Sequence, residues 1–400
     1  MIKRIFHFVS ASCIIFLSCA PVVQAEDEDK LEFSGFARVI MGYLDDNNAE
    51  YIYYDNSVSF DQQSLIGFQA DYQLNDDFSV TGQVVGHTGS QRDSGLEWLY
   101  LTFKPNNAFQ VKLGKQRIPF FNYSDSLDVG FAYPWLTLPQ QFYDTSFFST
   151  FEGVLANYEF ARNDWVINYE GYWGYYDDEF RSGSRTVDTK ITGLFGINTT
   201  LAYKQFSLRA SYNQGNVALG LPEASQFGEL IGQLGFSNNA NWLNPDGPIE
   251  FYQFSANYEN LDYFVRSEVV DIVGKSGLTP DVNSFYVSLG YNFYPYTAYI
   301  SYSKRDVKFK HIPNEIPYAV SPQLDQIAAT YDFILSQFRD ENVNGSKIGI
   351  RWDWRSNVAL KAELTLVRAN GQVSNDSALR DLGNFDGRAV LYQLGIDWVF

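Results

Sequence analysis

Tyr392-Gln393-Leu394-Gly395-Ile396-Asp397-Trp398-Val399-Phe400 closes the chain, and its residues sort into two lists. Tyr392, Leu394, Ile396, Trp398 and Phe400 fall on one face; Gln393, Gly395, Asp397 and Val399 fall on the other. A period of two is that of a β-strand with one apolar and one polar side. In a water-soluble domain so greasy a face needs a cover, and this stretch does not supply one. The fold therefore turns on what those five side chains touch.

The pattern recurs along the chain. Ile66, Phe68, Ala70, Tyr72 and Leu74 alternate with Gly67, Gln69, Asp71 and Gln73. Phe285, Val287, Leu289, Tyr291 and Phe293 alternate with Tyr286, Ser288, Gly290 and Asn292. Ile348, Ile350, Trp352 and Trp354 alternate with Lys347, Gly349, Arg351 and Asp353. About sixteen such segments are legible, from Leu31–Tyr43 to Arg388–Phe400. Every other connection is a tight polar or proline-bearing turn, as in Asn75–Asp77, Pro105–Asn107, Lys204–Gln205, Asn260–Leu261 and Arg355–Asn357. The remaining connections are long and irregular. Short periplasmic turns against long extracellular loops is the layout of a transmembrane antiparallel β-barrel. The expectation is all-β, one barrel domain over residues 26–400.

Composition fits. Aromatics make up 17 % of the chain, 28 of them tyrosines, as aromatic girdles at two membrane interfaces require. No run of about 18 apolar residues follows the first 25, so a spanning helix is not expected. Residues 1–25 read as an export signal, with Lys3 and Arg4, an apolar run and a Val23-Gln24-Ala25 cleavage site. Cys13 and Cys19 both lie within it, which leaves no thiol or disulfide in the mature chain. Its removal takes the net charge from −18 to −20, since it carries two basic residues and no acidic one. That acidity argues against nucleic acid as a partner.

Three long connections have patterns of their own. The segment 117–150 holds Gly130-Phe131-Ala132-Tyr133-Pro134-Trp135 and Leu136-Thr137-Leu138-Pro139, too aromatic for a solvated tip, and is expected to fold inward. Residues 215–249 place Phe227, Leu230, Ile231 and Leu234 at helical spacing. Residues 306–345 do the same with Leu324, Ile327, Ala328, Tyr331, Leu335 and Phe338, with Ser321 as N-cap and Pro322 in the first turn.

Catalytic chemistry finds little support. Beyond His7, which leaves with the signal, only His87 and His311 remain, far apart in sequence and without metal-ligand spacing. No phosphate-loop or dinucleotide fingerprint occurs, so no cofactor or metal site is expected. The polar faces say more. If the apolar set meets lipid, the other set lines an interior and brings Arg38, Lys112, Arg209, Arg266, Arg351 and Lys361 there. Asp71, Glu159, Glu170, Glu268, Asp353, Glu363 and Asp397 join them. Charges in spanning segments need water or a partner, and barrels of about sixteen strands enclose an aqueous channel. Ions and small hydrophilic solutes would diffuse through it past the folded-in segment, where Asp125, Asp128 and Asp144 could face basic wall residues including Arg117.

On these features the chain resembles the Gram-negative outer-membrane porins, sixteen-stranded trimeric diffusion channels. Gly114-Lys115-Gln116-Arg117-Ile118-Pro119-Phe120 is similar to the junction from which porins send their third loop into the pore. Tyr392, Trp398 and Phe400 match the terminal signal that such proteins present to the barrel-assembly machinery. The resemblance implies outer-membrane location, contact with membrane lipid and lipopolysaccharide, a homotrimer, and Arg38, Lys112 and Arg117 facing Asp125 and Asp128 across a constriction. Two departures stand out: the Pro-Glu-Phe-Gly-Gly signature of the general porins' third loop is absent, and the second loop, near Gly89–Ser94, is very short. A phosphate- or anion-selective channel, a barrel enzyme using His87 or His311, and a closed barrel serving as adhesin stay open as alternatives.

Overall fold

The computed structural model describes residues 30–89, 92–143, 148–182, 185–369 and 378–400. The expected export signal and Asp144 lie outside them. Strands β1 (Leu31–Leu44), β2 (Ala49–Tyr51), β3 (Leu65–Gln73), β4 (Phe78–His87), β5 (Gly95–Asn106) and β6 (Phe109–Arg117) open the chain. They are followed by β7 (Thr150–Arg162), β8 (Trp165–Ser182), β9 (Arg185–Tyr203), β10 (Phe206–Leu219), β11 (Gly247–Glu259) and β12 (Tyr263–Gly274). The chain finishes with β13 (Asp281–Phe293), β14 (Tyr296–Lys308), β15 (Glu341–Arg355), β16 (Val358–Ala369), β17 (Leu379–Asp381) and β18 (Arg388–Val399). Sixteen of them close a barrel in which every neighbour pair is antiparallel and β1 seals against β18; β2 and β17 form a separate ribbon.

The closing stretch now has its partners. Arg38 stands opposite Asp397, Ile40 opposite Gly395 and Tyr43 opposite Tyr392 in the seam. Phe400 exchanges backbone hydrogen bonds with Gly35, so the ladder runs to the last residue. Phase decides the rest, because neighbouring side chains on a strand point to opposite faces. Leu364, Tyr392, Leu394 and Trp398 are exposed on the outside, whereas Lys361, Glu363, Gln393 and Asp397 are buried within. The apolar set thus covers the outer wall, where only an apolar medium can satisfy it. Aromatic pairs ring the short-turn end of that wall: Trp165 stacks on Tyr203 at 4.3 Å, and Tyr296 on Trp352 at 6.0 Å. Among the described residues no helix is long and apolar enough to cross a membrane.

Asparagine chemistry closes several tight turns. The Asn75 side-chain carbonyl accepts from the amides of Asp77 and Phe78 at 3.0 and 3.1 Å, Asn106 does the same for Ala108 and Phe109 entering β6, and Asn260 for Asp262 and Tyr263 entering β12. Such Asx caps satisfy the amides a hairpin leaves over. At the opposite end the helices α1 (Pro222–Gln233) and α2 (Ser237–Trp242) in the β10–β11 connection share an apolar core with α3 (Pro322–Gln337) from the β14–β15 connection, built on Ile231, Trp242, Ala328 and Tyr331. Ser321 accepts from the Leu324 amide at 3.3 Å, as its N-cap position predicts. One connection departs from expectation. Among the described residues β8 and β9 stay paired outward to Ser182 and Arg185 instead of forming an irregular loop, with Lys190 2.7 Å from Asp177 across the ladder.

Candidate functional site

The described residues of the segment 118–149, which are 118–143 and 148–149, lie inside the barrel, and their apolar side chains explain why. Trp135, Leu136 and Phe142 have no exposed surface, and Tyr133 has 1 %. Burying each is worth about 1.5–3 kcal/mol relative to water. Trp135 and Phe142 pack on inward-facing Tyr286, Phe120 stacks on Phe251, and the Leu136 amide donates to the Tyr299 hydroxyl at 3.2 Å. Glycines in the wall make room: a Cβ on Gly345 would meet the Gln141 amide at 2.6 Å, and one on Gly395 would strike Leu136. Glycine inside a strand marks such close approaches.

Hydrogen bonds then fix the segment around much of the wall. The Pro119 carbonyl accepts from Asn198 on β9 at 3.1 Å and from Arg209 on β10. Glu268 on β12, 2 % exposed, accepts from the Asn122 amide at 3.0 Å, the Tyr143 hydroxyl at 2.5 Å, the Tyr286 hydroxyl at 2.8 Å and the Gln253 amide at 2.9 Å. Trp135 donates to Ser288 and Ser301 at 3.1 and 3.0 Å. A buried carboxylate needs this many donors because no water reaches it.

Two ion-pair knots complete the latch. In the first, Lys361 on β16 sits 2.8 Å from Asp397 and donates to the carbonyls of Gly130, Tyr133 and Trp135 at 2.7, 2.9 and 2.7 Å. Beside it, Arg351 donates to the carbonyls of Phe131 and Tyr133 at 2.7 and 3.0 Å, and Arg38 to the Tyr133 hydroxyl at 2.9 Å. Lys347 and Glu363, 2.7 Å apart, hold Thr137 and the Leu136 amide. In the second knot, Asp128 is 2.6 Å from Arg117 and 2.5 Å from Arg92, and Glu97 stands 3.3 and 3.2 Å from the same two arginines. Burial works to raise the Asp128 pKa, but Arg92 and Arg117 overcome it and hold the carboxyl well below the usual carboxylate range.

The residues read from sequence therefore divide. Arg38, Arg117, Arg209, Arg351, Lys361 and Asp128 are spent on holding the inner segment or on one another. Arg266 bonds Glu259 at 2.7 Å and lies over Phe264 at 4.6 Å. Lys112 lies over the Tyr100 ring at 4.9 Å, and Asp125 is exposed. Tyr392, Trp398 and Phe400 face outward on the closing strand. Arg92 and Glu97 were not singled out in the sequence, and Lys347 was placed on a polar face but not among the interior charges. Lys347 alternates with apolar Ile348 and Ile350, a signal that could have found it; Arg92 is in an irregular stretch where no phase exists.

Among the described residues none of the segment's side-chain hydrogen bonds reaches β3, β4, β7 or β8. Their inward faces carry half-buried Gln69, Asp71, Asn157, Asn168 and Glu170, which bond chiefly along the wall, as Asn157 does with Asn168 at 2.8 Å. No group of three or more metal-ligating side chains occurs among the described residues.

Solved structures share this architecture. OmpF of Salmonella typhi, determined with daunomycin, superposes with a TM-score of 0.56 at 12 % identity over 92 % of this chain and 97 % of that one. An anion-selective porin from Comamonas acidovorans gives 0.55 at 11 % over 92 % and 99 %. The trimer form of the outer-membrane protein OmpT of Vibrio cholerae gives 0.52 at 13 % over 92 % and 99 %. No curated protein matches the sequence. The model of the Gram-negative porin family matches residues 10–372, nearly the whole chain, and the chain belongs to that family.

Proposed function

We propose that this barrel is an outer-membrane diffusion channel, with no catalytic step of its own, through which ions and small hydrophilic solutes pass beside the latched segment 118–149. One observation carries the reading: a closed barrel, apolar outside and polar inside, holds across its interior a segment whose side-chain hydrogen bonds reach none of β3, β4, β7 and β8, where Val129 packs beside Leu65 and Val85 and Phe148 against Tyr176. The passage runs along that wall, and the segment sets its width. Charge at a narrow, low-dielectric neck governs which ions pass. Asp71, Glu170 and Asp125 border it with Lys112 as the basic member, while the other basic residues are engaged elsewhere. The passage thus favours cations. An anion-selective basic ladder would need Arg38, Arg117 and Lys361 free.

Planar-bilayer recording checks this. Purified, folded protein in a potassium chloride gradient is expected to give a reversal potential of cation-selective sign, and Asp125→Asn to move it toward zero. An anion-selective sign in the parent protein overturns the selectivity; no conductance at all overturns the channel. The family's trimeric assembly is carried over as part of the proposal, with cross-linking in outer-membrane preparations as its check.

A further inference from the structure

We propose that the passage carries a seat for a neutral sugar ring on the inner face of β5, with Trp98 and Tyr100 as its stacking surface. The inference rests on the channel proposed above and names a solute class for it. Phase puts both rings inside the barrel. Trp98 pairs with inward Gln83 and Tyr100 with inward Thr81, while Leu99 between them is exposed on the outer wall. The other inward aromatics of the barrel strands are covered, among them Phe36, Phe151, Tyr172, Phe251, Tyr286 and Tyr299. Among the described side chains of that inner face, Trp98 and Tyr100 are the aromatics that keep part of their surface open. Their ring centroids lie 6.3 Å apart, tilted by 44°. They form one step beside β4, which the segment's side-chain hydrogen bonds do not reach.

The wall on one side of the rings is bare. Gly114 on β6 stands opposite Tyr100, and Gly153 on β7 opposite Gly114. A Cβ on Gly114 would strike the Leu99 carbonyl, and one on Gly153 the Trp173 carbonyl. This stretch, about 10 Å across from β5 to β7, therefore stays free of side chains. On the other side hydrogen-bonding groups line up. Gln83 donates to Gln69 at 2.8 Å, Gln69 to Asp71 at 2.7 Å, and Thr81 to Asp71 at 2.5 Å. Such a surface selects its guest by charge and by pairing. Lys112, 4.9 Å over the Tyr100 ring, repels a cation, and Asp71, on the same row as Tyr100, repels an anion. A neutral, purely aromatic guest would cover the rings but leave the carboxylate and amides without partners. A pyranose meets both demands: its C–H face suits the negative face of an aromatic ring, and its hydroxyls both donate and accept.

The test is isothermal titration calorimetry of the folded full chain in detergent, with maltotriose and cellotriose as ring-bearing probes and sorbitol as an acyclic polyol. The parent is expected to bind at least one trisaccharide and to give no measurable heat with sorbitol. Trp98→Leu/Tyr100→Leu is expected to bind about tenfold more weakly, as the loss of stacking contacts implies. Trp98→Phe/Tyr100→Phe, which keeps a ring at both positions, is expected to retain most of the affinity. Both variants are expected to keep the parent's heat-modifiable gel migration, the mark of a folded barrel. A parent that binds neither trisaccharide, or binds sorbitol as tightly, overturns the proposal. So does a leucine variant that binds like the parent, or a phenylalanine variant as weak as the leucine one. Binding is read here without a membrane, so the seat and the channel fail separately. A parent that conducts but binds no sugar refutes the seat and leaves the channel; one that binds sugar but does not conduct does the reverse.

Discussion

Lys361→Met is expected to lower the stability of the folded barrel by about 3–5 kcal/mol, the usual cost of breaking a buried pair from one side. The side chains of Lys361 and Asp397 are 0 and 1 % exposed. Methionine fills much of the volume yet leaves Asp397 charged, dry and without its cation, while the carbonyls of Gly130, Tyr133 and Trp135 lose their common donor. Gly130 lies so close to the Asp397 carboxylate that a Cβ there would collide with it. Two readouts follow: a lower midpoint in the heat-modifiable gel shift, and noisier single-channel current as the segment loses its fixed position.

A second variant separates charge from packing. Lys361→Met/Asp397→Leu removes both charges, and pairs replaced whole by apolar groups are often tolerated. It is expected to recover much of the lost stability while its current stays noisy, because the loop carbonyls still lack a donor. A single variant with an unshifted midpoint would show that the pair and its carbonyl contacts do not hold the segment.

Lys361 also shows what the sequence makes legible. Alternation alone put it on the inner face with Glu363 and Asp397, because in a strand phase is geometry. For the same reason the barrel, its strand number and its tight turns followed from apolar periodicity and asparagine-bearing turns. The inner segment was legible as a tendency: the rings between Phe131 and Trp135 had to be buried somewhere. Which wall they meet was not, since barrel height and angle depend on stagger between strands, and stagger is a property of the closed sheet. Hence Arg38 and Arg117 read as a basic wall facing Asp125 and Asp128 across a constriction, whereas Arg38 ends on the Tyr133 hydroxyl and Arg117 is in direct contact with Asp128. Arg92 could not be found at all, because its role depends on two distant segments arriving at one point. The β8–β9 extension was missed because charged, tyrosine-rich residues 174–189 lose the apolar alternation once the strands leave the lipid belt.

Asp128→Asn is the other large expected effect, and it carries a pH signature. Asp128 and Arg117 have side chains 3 % exposed, and Arg92 brings a second cation to the same carboxylate. Neutralising Asp128 leaves two guanidiniums to share Glu97, at a cost of about 3–5 kcal/mol near neutral pH. The sign of the pH dependence follows from the depressed pKa. The folded protein holds this proton less tightly than the unfolded chain does. The contribution is therefore complete above the ordinary aspartate value, near 3.9, and drains away as pH falls below it toward the folded value. Unfolding midpoints of parent and variant should differ most at neutral pH, keep that gap down to about pH 4, and converge only in stronger acid. A gap that already narrows between pH 7 and pH 5 would mean that Asp128 is not held low by its two arginines. In that case the first turn of the inner segment is fixed by the Pro119 and Asn122 contacts alone.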